Sequence, residues 1–178
     1  MKNFKKLAIF SILVLGLSSS VFAQAPYKHS IGATVGNFEA FSYKTFFTNH
    51  LALQLDLGYK YTVGATRYGN IDINSLELNP NLMYEGHFTK GLYGFIGGGV
   101  SLGYSWYWGV FDGWFFNSRY RYDYGKFGVN GILGLEYKFN IPLTLQFDFR
   151  PGYGMLFNDD IDFDYFDWSV NIGVRYTF

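Results

Sequence analysis

The chain contains no cysteine, which removes disulfide cross-links and thiolate metal sites from consideration. Charge is scarce as well: Asp, Glu, Lys and Arg make up 16% of its 178 residues, against about 25% in an ordinary water-soluble domain. The charges cancel, 14 bases against 14 acids, and outside the extreme N-terminus the bases form no patch. No nucleic-acid partner is expected from such a balance. Strong overall hydrophobicity is missing too. Mean hydropathy is +0.02, whereas a bundle of membrane helices would be strongly positive. One charge-free stretch, residues 91–111, is long enough for a membrane helix, and Gly94/Gly98 and Gly99/Gly103 match the small-xxx-small spacing of helix pairs. It carries seven glycines, however, together with aromatics that favour strands.

What is abundant is aromatic side chains, 22% of the chain with 20 Phe and 16 Tyr, and 22 glycines. Polar and apolar residues must therefore be finely interleaved. The N-terminus is the exception. Lys2, Lys5 and Lys6 precede an apolar or small-residue run from Leu7 to Leu17, and Ser18, Ser19, Ser20, Val21, Phe22 and Ala23 follow. This is the layout of a secretory signal peptide, and the run is too short for a spanning helix of about 20 residues. Residues 1–23 are expected to be cleaved away, leaving a barrel domain at 24–178. Cleavage removes three bases and leaves 11 against 14 acids, a formal charge of −3.

Along the rest of the chain the period is two. Trp168, Val170, Ile172, Val174, Tyr176 and Phe178 alternate with Ser169, Asn171, Gly173, Arg175 and Thr177. Alternate side chains of a strand point to opposite faces, so one face is apolar and the other polar. The pattern recurs from Leu51 to Val63, from Leu76 to Glu85, from Phe127 to Phe139 and from Leu143 to Arg150. Ile31, Ala33 and Val35 mark a further strand, as do Phe41, Tyr43, Thr45 and Phe47, and a last one runs from Leu92 to Tyr104. The expected fold is all-β: an eight-stranded antiparallel up-and-down transmembrane barrel.

Strands of about 9–11 residues cross a bilayer when tilted, and in lipid a sheet must close so that every backbone group is paired. Tight links are expected at Thr48-Asn49-His50, Thr89-Lys90-Gly91 and Asn140-Ile141-Pro142, and longer loops through residues 64–72, 105–124 and 155–165. Gly36-Asn37 makes a short first hairpin on the long-loop side. A soluble lipocalin-like barrel has the same strand number but the opposite polarity, with the charges in water. The bulk of the apolar set and the aromatic last residue favour the membrane form.

The final strand, with Val174, Tyr176 and Phe178 at alternating positions, resembles the C-terminal signal that the barrel-assembly machinery reads in bacterial outer-membrane proteins. With a signal peptide and eight strands, residues 27–178 resemble the small barrels of the outer membrane protein A and X type and the barrel-domain proteins of Bacteroidetes. The resemblance implies a Gram-negative outer membrane as location. Outer-membrane lipid and lipopolysaccharide would be its surroundings, and the assembly machinery its partner during biogenesis.

Two groups of residues are candidates for function. Inward positions on this register are Lys44, Lys60, Lys138, Arg150 and Arg175 against Asp56, Glu77, Glu85, Glu136, Asp148 and Asp167. An eight-stranded interior is just wide enough to be filled by side chains, so these form a salt-bridged plug or line a narrow path. Gly32, Gly58, Gly97, Gly99, Gly134 and Gly173 are expected to leave room for the latter. The second group is the loop with Trp106, Tyr107, Trp108, Trp114, Arg119 and Arg121, residue types that dominate binding hot spots. It is either a surface binding loop for an extracellular ligand or a β-ribbon anchored in lipopolysaccharide. The last loop is acidic, with Asp159, Asp160, Asp162 and Asp164, but lacks the glycine and glutamate of a Ca²⁺ loop. No cofactor, metal or catalytic constellation is expected, since His29, His50 and His87 fall far from the outer rim where an embedded enzyme would need a base. Membrane-structural or surface-binding protein is the leading reading and porin-like narrow channel the second, ahead of a soluble lipocalin-like binder or a barrel-embedded enzyme.

Overall fold

The computed structural model describes residues 27–66, 69–112, 117–158 and 162–178, with side chains described outside 62–72, 107–120 and 159–163. Eight strands follow one another: β1 (His29–Gly36), β2 (Phe38–Phe46), β3 (Leu51–Thr66), β4 (Gly69–Thr89), β5 (Leu92–Asp112), β6 (Asn117–Lys138), β7 (Leu143–Phe157) and β8 (Asp162–Thr177). Each pairs antiparallel with its sequence neighbours, and β1 pairs with β8, so the sheet closes into a barrel. The expected signal peptide lies outside the described residues.

Burial decides which way round the barrel is built. Leu57, Val129, Phe147 and Val174 stand on the outside, each about half exposed, while Lys44, Asp56, Glu136 and Arg175 inside are fully buried. The polarity is that of a membrane barrel and the reverse of a lipocalin. A belt of exposed Leu, Ile, Val, Phe and Tyr runs round all eight strands.

One end of the barrel, the turn end, carries both ends of the described chain and three tight links. At the link between β4 and β5, Gly91 has φ 74° and its carbonyl accepts from Lys138 N–H at 2.7 Å. That left-handed backbone is easy only for glycine. At the opposite end Gly36, φ 147°, turns β1 into β2.

At this opposite end the long connections expected at residues 64–72, 105–124 and 155–165 are mostly strand. Pairing continues up to Thr66↔Gly69, Asp112↔Asn117 and Phe157↔Asp162. The longest hairpin leaves the barrel wall. Pairing of β5 with β4 reaches Asn74↔Trp106 and that of β6 with β7 reaches Gly125↔Phe157, while β5 and β6 continue together to Asp112↔Asn117. A strict apolar–polar alternation marks a strand between lipid and core. A ribbon without that boundary needs only residues that suit a pleated surface, such as Tyr and Trp, and cross-strand partners. The aromatic segment is therefore a β-ribbon rather than an open loop.

Candidate functional site

The buried polar side chains form three tiers along the barrel axis. At the turn end, Lys44 Nζ donates to Glu136 Oε2 at 3.0 Å and to Glu85. Arg175 Nη1 lies 3.7 Å from the same Glu136 oxygen, and its guanidinium also donates to Ser42 Oγ at 3.0 and 3.1 Å and to Gln146. Apolar residues fill the rest of this tier: Phe46, Ala52, Met83, Phe95 and Ile132. The Lys44 ammonium lies 5.0 Å from the Phe46 ring centre and 5.6 Å from that of Phe95, a favourable cation–π placement once water is excluded.

The middle tier is built on Arg150. Its Nη1 donates to Asp56 Oδ2 at 2.7 Å, its Nε to Asp148 Oδ1 at 2.6 Å and its Nη2 to Asp148 Oδ2 at 3.2 Å. One guanidinium thus serves two carboxylates. The formal excess of negative charge is met by amides: Gln54 donates to Asp56 at 2.8 Å, and Gln146 and Asn171 to Asp148 at 2.8 and 2.9 Å. Phe38, also buried, brings its ring centre within 5.9 Å of the Arg150 guanidinium carbon.

In the third tier Lys60 bonds Asp167 at 2.7 Å, and Lys126 reaches Asp167 at 3.3 Å and Glu77 at 2.5 Å. Lys126 also lies 4.5 Å from the Tyr165 ring centre. Several of these pairs join strands that are not neighbours in the sheet: β2 to β4 and β6, β3 to β7, and β6 to β4 and β8. They cross the lumen and tie opposite walls together.

Ten of the eleven expected lumen residues belong to these tiers. Lys138 does not. Its alternation is correct, but it stands at the end of β6, where its ammonium donates to the turn carbonyls of Phe139 at 2.8 Å and Ile141 at 2.7 Å. Lys126 takes its place in the network, a residue that sequence reasoning passed over. Carrying the β6 alternation one residue back from Phe127 would have found it.

The inward glycines are not vacancies. A β-carbon on Gly32, Gly58, Gly97, Gly99 or Gly134 would lie 2.0–2.2 Å from a carbonyl oxygen of the adjacent strand, and one on Gly173 would lie 2.9 Å from Thr34 Cγ2. These positions let strands approach closely, and the expected room for a solute path is taken by the neighbouring strand.

On the ribbon side, Trp106 lies 6.3 Å from Tyr59 and 6.1 Å from Tyr104, ring centre to ring centre. The Arg121 guanidinium sits 5.4 Å from the Trp106 ring and 6.0 Å from that of Tyr104. Its Nε donates to Asp123 Oδ1 at 2.7 Å. Hydrogen bonds from Tyr104 and Arg121 hold the Asp123 carboxyl below its usual range. Tyr107, Trp108 and Arg119 are strand residues paired with Tyr122, Arg121 and Val110. Trp114 lies outside the described residues, as do Asp159 and Asp160 of the acidic link. Val174, Tyr176 and Phe178 all face outward, and Phe178 stacks on His29 at 5.6 Å across the β1–β8 seam.

No protein-family model and no curated protein matches the chain. Solved structures do resemble it, among them three small barrels. Neisserial surface protein A is 15% identical with a TM-score of 0.53, over 84% of this chain and 93% of that one. Outer membrane protein OprG from Pseudomonas aeruginosa is 14% identical with a TM-score of 0.54, over 88% and 98%. The N-terminal β-barrel domain of Pseudomonas aeruginosa OprF is 17% identical with a TM-score of 0.51, over 87% and 98%. With eight antiparallel strands in a closed ring and an apolar exterior, the chain has the fold of the small outer-membrane β-barrels.

Proposed function

We propose that the protein resides in a Gram-negative outer membrane as a closed, non-catalytic scaffold, and that it presents the aromatic β5–β6 ribbon at the cell surface for binding. The observation that carries this reading is the cross-tied interior. Three tiers of buried ion pairs link opposite walls, and breaking such a pair costs about 3–5 kcal/mol. A conducting path would have to part Arg150 from both Asp56 and Asp148. The apolar belt supplies the lipid contact, and the turn end faces the periplasm if the last strand is delivered by the assembly machinery. Arg121 stacked on Trp106 and Tyr104 is the kind of aromatic–cation surface that binds ligands or anchors in lipopolysaccharide.

The test has two parts. Unboiled protein from the outer-membrane fraction should migrate differently from boiled protein on SDS gels. The purified barrel in planar bilayers should then give a flat current trace. Reproducible conductance steps would replace the scaffold by the narrow-channel reading. A soluble periplasmic protein without a mobility shift would remove both.

A further inference from the structure

The turn end of the lumen is occupied by a side chain that is not part of the wall. β1 begins at His29, whose N–H and C=O pair with Phe178 at 2.9 Å each. One residue earlier, the Lys28 carbonyl accepts from Phe46 N–H at 3.0 Å. Tyr27 lies just before these anchors and outside the ladder. Its ring meets that of Phe46 edge-on at 5.3 Å and packs on the cluster of Phe46, Ala52, Met83, Phe95 and Ile132. Those five are at most 6% exposed, while Tyr27 above them remains partly exposed.

The phenol is also wired into the ionic tier below. Tyr27 OH donates to Glu136 Oε1 at 2.5 Å, on the carboxylate whose other oxygen takes Lys44 at 3.0 Å. The Lys44 ammonium lies 5.7 Å from the Tyr27 ring centre. Glu136 is completely buried, so each donor it loses must be replaced, most simply by water. Because Tyr27 makes no strand pairing, its side chain can swing away while every ladder bond of the barrel stays intact.

We propose that Tyr27 is a stopper at the turn end of the lumen, held by Glu136, whose displacement admits water and small solutes to the Lys44–Glu85–Glu136 tier. The Arg150 tier beyond it keeps the barrel closed, so what opens is a vestibule and not a through-pore.

The absence of cysteine allows a clean test. Ala52→Cys places a thiol beneath Tyr27, and Ser75→Cys places a control thiol in the interior towards the ribbon end, where Ser75 is fully buried against Ser105. Each is made with Tyr27 intact, with Tyr27→Ala and with Tyr27→Phe, which keeps the ring but loses the bond to Glu136. Reaction with a small charged methanethiosulfonate is followed only in protein that retains the barrel's gel shift. Tyr27→Ala should raise the labelling rate at position 52 by about tenfold, as expected for a local opening that becomes that much more populated, and leave position 75 unchanged. Tyr27→Phe should raise it less, and it carries the test alone if the alanine variant loses the shift. Equal rates at position 52 with and without the substitution would overturn the proposal. So would a parallel rise at position 75, which would mean general loosening. Loss of the shift in the protein with Tyr27 intact would instead sink the barrel reading itself.

Discussion

Two faces of the same strands are separated by a single residue. On β3, Leu57 faces out and Asp56 in; on β7, Phe147 faces out and Asp148 in; on β8, Val174 faces out and Arg175 in. The outer face is made of interchangeable apolar side chains that need only be lipid-compatible. The inner face is made of specific pairs, several of them with a partner on a distant strand. The difference predicts that the outside tolerates any apolar exchange and rejects charge, whereas the inside tolerates coordinated exchange and rejects single losses.

The largest effect is expected at the centre. Arg150→Met strands Asp56 and Asp148 without their cation and should destabilise the barrel by about 3–5 kcal/mol, seen as loss of the gel shift at a lower urea concentration. Asp148→Asn sharpens the point, because it leaves one base facing one acid; its cost should be clearly smaller in the same titration. If the two variants unfold together, the tier does not work as a charge-balanced unit. Next comes the outer face. Leu133→Arg, in the belt, should cost about 2–4 kcal/mol in unfolding from lipid vesicles, while Leu133→Ile should leave the midpoint in place.

A smaller contrast separates two lysines of the same strand. Lys126→Met leaves the buried Glu77 without its cation while Asp167 keeps Lys60, and should cost about 3 kcal/mol, the low end for a buried pair. Lys138→Met removes only bonds to turn carbonyls near the surface and should shift the unfolding midpoint by about 1 kcal/mol or less. Equal costs would mean that Lys126 is not the lumen partner its geometry indicates. Smallest of all, replacing residues 107–122 by a short turn should leave the gel shift and unfolding midpoint unchanged, because among the described residues the two strands of this ribbon form their ladder with each other, above the wall. A binding phenotype lost in that otherwise stable variant would assign the ribbon its role.

Much of this was legible in advance because a β-strand between two solvents writes its environment in period two. Leu145, Phe147 and Phe149 against Thr144, Gln146 and Asp148 suffice to separate the two faces without any knowledge of the neighbours. Beyond the membrane that constraint lapses. Residues 107–112 and 117–122 carry no two-sided apolar code, so their ladder could not be distinguished from a loop. Lys126 and Lys138 show the same limit at strand ends, where parity gives the face but not the depth. The glycines show another. A missing side chain marks either free space or a close neighbour, and only the position of the adjacent strand tells which.

The amino-acid sequence by itself determined the strand number and the division of each strand into an apolar and a polar face, since these depend on local alternation, and the bulk of the apolar set favoured placing that face outward. Tertiary structure decided what the interior does. Which acid meets which base depends on the stagger between strands far apart in the chain: Arg150 reaches Asp56 across 94 residues, and Tyr27 reaches Glu136 across 109. No local pattern encodes such distances, because they exist only once the ring has closed.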